Sequence, residues 1–393
     1  MAAAARSLAF FPFTPSLLSL PPMLHLLRPL LLTVLTVLLC TACAPEGAGT
    51  AEGLQHARLL RMRQEGTATV AEVMDPWHEG RVMHRYLLVP RADSVPAGLP
   101  EGTLVRTPLR RMVATSSVHA ALAADLGCRH LVAGLCDTAY VMHPLLRADL
   151  RSGRTAALGA SFAPDMERLV ALAPDAVTVS PMEHTGYGAL AATGIPLIEC
   201  ADYMEQTPLG RAEWMRFYGR LWGCGERADS LFAATERTYD SLCRAAAEAR
   251  SPRPRLIVDM KQAAAWYVPG ADSYLARLYA DAGADYVFAR HRGSGSVALS
   301  VETVMAEGAE ADVWIVKYGQ AEPRTYASLA ADYAPVRRLR PWRERRVWAC
   351  NTLAVPYYEE TPFHPERLLR DLVAIFHPEV DAEAQPAYYH PMP

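Results

Sequence analysis

Lysine is nearly missing from this 393-residue chain: only Lys261 and Lys317 stand among 39 basic residues that are otherwise arginine. Against 42 acidic residues the formal charge is −3, so no basic field favours nucleic acid. Beyond Cys43 there is no CxxC spacing, which removes zinc-ribbon and thioredoxin chemistry. GxSxG and HExxH are absent, and the twelve histidines are scattered without an HxH. A serine hydrolase or a zinc protease therefore lacks its signature, and Ser117 and His119, two apart on a predicted helix, face different ways. The string His291-Arg292-Gly293-Ser294-Gly295-Ser296 is no phosphate loop, since Gly-Lys-Ser/Thr does not follow. The apolar run Leu30 to Leu39 is too short to span a bilayer as a helix.

What is present begins with that run. Arg28 precedes it, Thr41-Ala42 follow it, and Cys43 comes next. A positive flank, a short apolar core, small residues and then cysteine form the pattern of a lipoprotein signal, with Cys43 carrying the lipid. Residues 1–42 read as the signal peptide, compact if it starts at Met23, and 43–56 as a small, polar linker. The expectation is an extracytoplasmic (periplasmic) protein anchored to the membrane through lipid. Losing Arg6 and Arg28 moves the formal charge from −3 to −5. The composition, 51% hydrophobic and 21% charged, suits a folded chain, and the remaining 351 residues suit two lobes. Six cysteines remain after Cys43; Cys128 with Cys136 and Cys224 with Cys243 are the nearest pairs in sequence.

Between residues 57 and 103, period-two alternation broken by Pro76 and Gly80 predicts a β-rich extension of antiparallel strands. From Arg111 strands alternate with helices, the grammar of a parallel sheet. A first α/β lobe is predicted over 104–207. Two consecutive helices, Pro208 to Trp222 and Glu226 to Arg250, make a helical linker over 208–250, and Ser251-Pro252-Arg253-Pro254 ends it. A second α/β lobe is predicted over 251–380, with 381–393 as a tail. The fold class is thus α/β: two parallel-sheet lobes joined by a single long helix, with a β-rich N-terminal extension.

Three strings carry a resemblance. In the first lobe Leu158-Gly159 is followed by Pro164-Asp165-Met166-Glu167-Arg168-Leu169 and Ala171-Leu172-Ala173-Pro174-Asp175-Ala176-Val177. In the second, Leu299-Ser300-Val301-Glu302-Thr303-Val304 precedes Ala311-Asp312-Val313-Trp314-Ile315. A third runs from Ile198 through Glu205 and from Gly210 to Trp214. Over about residues 107–378 the chain resembles the helical-backbone substrate-binding lipoproteins (class III, periplasmic-binding-protein type 2 like) of ABC importers for iron complexes, haem and cobalamin, and within them a Bacteroidetes-type branch. The resemblance implies a monomeric binding protein, not an enzyme, with no cofactor of its own. Its partners would be an ABC permease dimer, the ATPase that powers it, and a ferric siderophore, haem or cobalamin as cargo. It also implies that Glu167 and Glu302 dock onto permease arginines. Each lies in the first turn of its helix, where the macrodipole favours a carboxylate.

Such ligands would sit between the lobes, on loops that follow strand C-termini. The candidates are Ser116, Asp137, Tyr140, His143, His184 and Tyr187 in the first lobe. In the second they are Trp266, Tyr267, Tyr274, Arg292, Tyr318, Tyr357 and Tyr358. His143 or His184 could ligate haem iron or cobalt, and Tyr140 or Tyr187 ferric iron; no spacing chooses among them. Arg292 could pair a carboxylate in a fork. Two rival readings stand beside this one: a free zinc or manganese binding protein of an importer, and an extracellular lipoprotein hydrolase.

Overall fold

The computed structural model describes residues 53–393. The expected signal peptide (1–42), the expected lipidation site Cys43 and most of the linker expected at 43–56 lie outside the described residues.

The extension is a four-stranded sheet of Leu60–Glu65, Ala68–Met74, Val82–Pro90 and Thr103–Thr107, in chain order. The first three strands pair antiparallel, as alternation predicts. The fourth lies parallel to the third, reached through the crossover 91–102, which alternation does not report. Leu60, Met62, Val73, Tyr86, Leu88 and Val105 pack into one core with Met112, Ala114 and Leu122 of the first lobe. The extension therefore has no separate core. The Tyr86 hydroxyl accepts from Glu199 N (2.7 Å) and donates to Leu197 O (2.9 Å). It thereby satisfies the edge of the lobe's outermost strand, Leu197–Glu199, which would otherwise be open to pairing.

The first lobe's sheet is parallel throughout. Met112–Ala114 is central, with Ala176–Val179 and Leu197–Glu199 on one side and Val132–Leu135 and Ala156–Ala157 on the other. Ala176–Val179 is buried at every residue, as a strand covered on both faces must be. The second lobe places Asp285–Tyr286, Arg255–Val258, Val313–Tyr318 and Val347–Asn351 in parallel. A small antiparallel sheet of Lys261–Gln262, Ala265–Pro269 and Ser296–Leu299 lies beside it.

The residues expected to be a tail, 381–393, are instead part of this lobe. His390–Pro391 pairs antiparallel with Val347–Asn351, and Tyr388 and Tyr389 are buried. The buried Asp371 carboxylate fixes them by accepting from the backbone N–H of Ala387 (2.8 Å), Tyr388 (2.6 Å) and Tyr389 (3.2 Å).

Pro208–Glu213, Met215–Trp222 and the 23-residue helix Gly225–Ala247 connect the lobes. At 1.5 Å per residue the last is about 35 Å long. Its Ala228 and Phe232 lie in the first lobe's core, and its Tyr239 and Ala246 in the second's. One helix thus serves both cores. Gly223 ends the preceding helix in the left-handed region at φ +74°, where an added Cβ would meet Pro108 at 2.7 Å.

The chain enters this fold through two buried carboxylates. Glu213 accepts from the N–H groups of Gln55 (2.9 Å), His56 (2.8 Å) and Ala57 (2.8 Å). Glu205 accepts from Arg58 N (3.0 Å), Leu59 N (2.8 Å) and Trp214 Nε1 (2.9 Å). Residues 55–59 are therefore strapped onto the helical linker ahead of the first strand.

Candidate functional site

In a parallel sheet all strand C-termini open on one edge. In the first lobe that edge carries the loops at 115–116, 136–143, 158–162 and 180–187. In the second it carries those at 259–260, 287–295, 319–325 and 352–358. The two edges approach each other. The C-lobe carboxylate of Glu359 accepts from the first-lobe backbone at Met142 N (3.0 Å) and His143 N (2.8 Å). Nearby His364 Nε2 meets Asp125 at 3.1 Å. From the linker, the Arg211 guanidinium lies 5.2 Å from the ring centroid of Tyr274, within cation–π range.

Large apolar side chains stand in solvent on these loops and, at Tyr267, on the small antiparallel sheet beside them. Tyr140 is 64% exposed, Phe162 88%, Met182 57%, Tyr267 45% and Tyr358 58%; Leu353 joins them. Solvated large apolar groups at the strand-end edges of both lobes are candidates for a surface that gains by being covered. Sequence reasoning named Tyr140, Tyr267 and Tyr358 and missed Phe162, Met182 and Leu353. Phe162 sits at the turn of the hairpin Gly159–Ala160/Ala163–Pro164, a position that "glycine, then aromatic" between strands could have flagged.

Beneath the second-lobe loops is a charged pair that was also missed. Lys317 Nζ lies 2.8 Å from Asp259 Oδ1 at the ends of neighbouring strands. Burial works against the ammonium, but the Asp259 carboxylate, by charge and by hydrogen bond, more than offsets it and shifts the lysine pKa upward. Asp259 itself sits at φ +59°. Burial raises the pKa of the Tyr357 and Tyr358 hydroxyls, and the Lys317 charge works against that rise. The rarity of lysine was the available signal: one of the chain's two lysines closes the buried run Val313–Val316.

The remaining candidates fall into three groups. Some are used by the fold. Ser116 caps the helix Ser117–Asp125, accepting from Val118 N (3.3 Å). His143 precedes the helix Pro144–Ser152 and faces Asp125 at 3.8 Å. The Tyr187 hydroxyl donates to Glu199 (2.9 Å), and burial together with that carboxylate pushes its pKa far up. Others lie partly open at strand ends: Asp137, at φ +49°, accepts from Ser161 N (3.2 Å), and Tyr318 ends Val313–Tyr318. His184 is exposed beside Glu183, and Arg292 is exposed but ion-paired to Asp272 at 2.5 Å.

Two expectations are overturned by burial. Trp266 has no exposed surface; it donates Nε1–H to Val258 O (2.9 Å) and packs on Trp314 with centroids 5.8 Å apart. Strand parity explains it: Ala265–Pro269 turns Trp266 to the core and Tyr267 outward. Tyr357 is likewise buried, its ring against Tyr358, Tyr388 and Tyr389, while Tyr358 turns out. Neither buried ring can touch a ligand in this arrangement.

Just past the C-terminal ends of Met112–Ala114 and Leu197–Glu199, His119, Cys200 and Asp202 bring one donor atom each within 4.8 Å of one another, all buried. Asp202 already accepts from His119 Nε2 (2.9 Å), the Tyr218 hydroxyl (2.9 Å) and Arg211 Nε (3.3 Å). Burial alone would lower the His119 pKa, but the Cys200 sulfur and the Asp202 carboxylate push it up to about 10. The cluster is an ionic network linking the sheet to the linker that carries Arg211. A separate polar groove of about 440 Å³, lined by Gln55–Arg58, Tyr239, Asp240, Arg277 and Asp281, lies along the backbone helix and holds none of the predicted ligand residues.

Glu167 and Glu302 occupy the same place in the two halves. Each is the second residue of its helix, Met166–Ala171 or Val301–Gly308, behind a side-chain cap from Asp165 or Ser300. Both are exposed, and among the described residues neither has an ion-pair partner within 4 Å.

Residues 113–329 match the periplasmic binding protein family. The chain is 24% identical over 312 residues to an uncharacterised lipoprotein of Methanocaldococcus jannaschii, covering 75% of this chain and 73% of that one. Among solved structures it is similar to a periplasmic binding protein from Veillonella parvula (15% identity, 80% and 99% of the two chains, TM-score 0.60). It is also similar to a periplasmic haem-binding protein from Pseudomonas aeruginosa (18%, 71% and 95%, TM-score 0.54). A third is an ABC-type Fe3+-hydroxamate transport protein from Saccharomonospora viridis (19%, 66% and 93%, TM-score 0.50). No helix among the described residues is long and apolar enough to cross a membrane. With two parallel-sheet lobes, one shared helix and a family match over more than half its length, the chain belongs to the periplasmic binding protein family.

Proposed function

We propose that this protein is the extracytoplasmic, lipid-anchored binding component of an ABC importer, and that it captures a metal chelate or corrinoid (ferric siderophore, haem or cobalamin) between its lobes. The observation that carries the reading is the set of solvated apolar side chains, Tyr140, Phe162, Met182, Leu353 and Tyr358 on strand-end loops of the two lobes and Tyr267 on the neighbouring small sheet. A broad, partly apolar complex covers such a set; a bare ion does not. The haem and Fe3+-hydroxamate proteins among its structural neighbours support the same ligand class. Tyr140, largely exposed, and His184, exposed beside Glu183, are the groups best placed to reach a metal centre. Tyr187 is less suited, since Glu199 already holds its hydroxyl.

Delivery would follow from Glu167 and Glu302. Two exposed carboxylates, one per lobe, suit paired arginines on a permease dimer, with gains in orientation and on-rate more than in affinity. Cys43 would hold the protein at the membrane, and an ATPase would drive release.

All three ligand classes are coloured, which makes the test direct. Residues 44–393 are incubated with haem, cobalamin or a panel of ferric siderophores, desalted, and examined by visible spectroscopy. Colour retained at one equivalent names the ligand, and a band shift reports His or Tyr ligation. Folded protein that retains none of them, but binds zinc or manganese, would replace this reading with that of a free-ion carrier.

A further inference from the structure

We propose that Cys128 and Cys224 form a disulfide that pins the start of the backbone helix to the first lobe. The pair is 96 positions apart in sequence, and the fold brings it together. Cys128 closes the turn after the helix Ser117–Asp125; Cys224 is the residue just before Gly225–Ala247. Cys128 Sγ lies 3.9 Å from the carbonyl of Trp222, two residues before Cys224, and Cys224 packs against the same core that buries Cys128, both as free thiols in this structure. The turns themselves are in contact: a Cβ added to Gly127 would meet the Arg227 guanidinium at 2.6 Å.

The pairs nearest in sequence are excluded by the same geometry. Cys136 packs in the core on one face of the first-lobe sheet and Cys128 in the core on the other. Cys243 lies 19 residues up the helix from Cys224, about 28 Å along its axis. A disulfide needs Cα atoms within about 7 Å.

The chemistry is thiol–disulfide exchange with an oxidised dithiol oxidase or glutathione disulfide outside the cytoplasm. One cysteine, as thiolate, attacks the oxidant's disulfide and expels one oxidant thiolate. The second cysteine loses its proton and attacks the first sulfur, forming the Cys128–Cys224 bond and expelling the other oxidant thiolate. Two protons leave the protein thiols, and two electrons pass to the oxidant. The consequence is mechanical. Tied at its first turn, the helix moves with the first lobe, and bending between lobes is confined to its far half, where Tyr239 and Ala246 meet the second core.

The bond rests on the extracytoplasmic location proposed above, so the test has two arms. In the first, the full chain is secreted in a host with a dithiol oxidase, extracted in detergent, alkylated with iodoacetamide under denaturing conditions and digested. Mass spectrometry should find Cys128 and Cys224 in one cross-linked peptide pair that separates on reduction, with Cys136, Cys200, Cys243 and Cys350 alkylated. In the second, reduced folded protein is equilibrated in glutathione disulfide and mapped in the same way. Pairing in both arms supports the bond and the location; pairing in the second alone supports the bond and counts against the location. Alkylation of both cysteines in the second arm overturns the proposal. Reduction should also lower Tm by about 5 °C, as expected for release of a loop this long, and should leave the Tm of the Cys128→Ser/Cys224→Ser variant unchanged.

Discussion

Five glutamates in this molecule fall into two regions that treat the same side chain in opposite ways. Glu205, Glu213 and Glu359 lie buried around the helical linker and the lobe junction, each filled by two or more backbone N–H groups. Glu167 and Glu302 lie exposed in the first turns of their helices with no ion-pair partner among the described residues. In the first region the carboxylate is spent on the fold. Its lone pairs are occupied, and burial raises Glu205 and Glu359 against the hydrogen bonds that lower them. In the second the helix start favours the charge without occupying its lone pairs, which stay available to another molecule. The contrast separates residues that hold the lobes from residues that could meet a partner, and it extends to the aromatics: Trp266 and Tyr357 belong with the buried glutamates, Tyr267 and Tyr358 with the exposed ones.

The sharpest break of that contrast uses neighbouring residues on one strand. Trp266→Ala should cost about 3–5 kcal/mol of stability, the range for emptying a buried aromatic. Tyr267→Ala should leave stability within about 0.5 kcal/mol while weakening ligand retention. Urea melts of both variants decide this; equal losses would mean that strand parity had been misread. Next in size, Glu213→Ala should cost roughly 2–4 kcal/mol, because three N–H groups of residues 55–57 lose their acceptor at once. Amide exchange should rise first at those residues; a variant as protected as the parent would remove the strap from the list of stabilising contacts.

A pH series gives a smaller effect. The folded His119 pKa is pushed up to about 10 from an unfolded value near 6.5. A raised value means that its stabilisation is full below about pH 6.5 and is lost as pH climbs through 10, with a slope of up to about 1.4 kcal/mol per pH unit for one proton. Asp202, shifted downward first by its partner His119 against burial, loses its share on the acid side instead. His119→Gln should flatten the alkaline slope between pH 6.5 and 9. Parallel slopes in parent and variant would show that His119 is neutral in the fold.

How much of this could be read from sequence follows from range. Alternation and capping are local, so the strands of the extension, the helix starts at Ser300 and Asp165, and the long helix were legible. The placement of Glu167 and Glu302 was legible for the same reason. Parity at the double aromatics was not: Trp266-Tyr267 and Tyr357-Tyr358 each present one ring inward and one outward, and composition does not say which. The carboxylate clasps join residues about 150 positions apart, and the final strand His390–Pro391 is too short to show a period. Phe162 and the Asp259–Lys317 pair needed the sheets to be assembled before their place at the strand ends was visible.

The most direct measurement takes the two exposed glutamates alone. Cells that depend on this importer are given the Glu167→Arg/Glu302→Arg variant, and uptake of the coloured ligand is measured beside its binding to the purified protein. If these glutamates dock and the strand-end loops bind, retention of the ligand and Tm stay at parent values while uptake falls at least tenfold. Uptake at the parent rate with binding intact would contradict the docking role, and loss of binding itself would contradict the separation of docking residues from cleft.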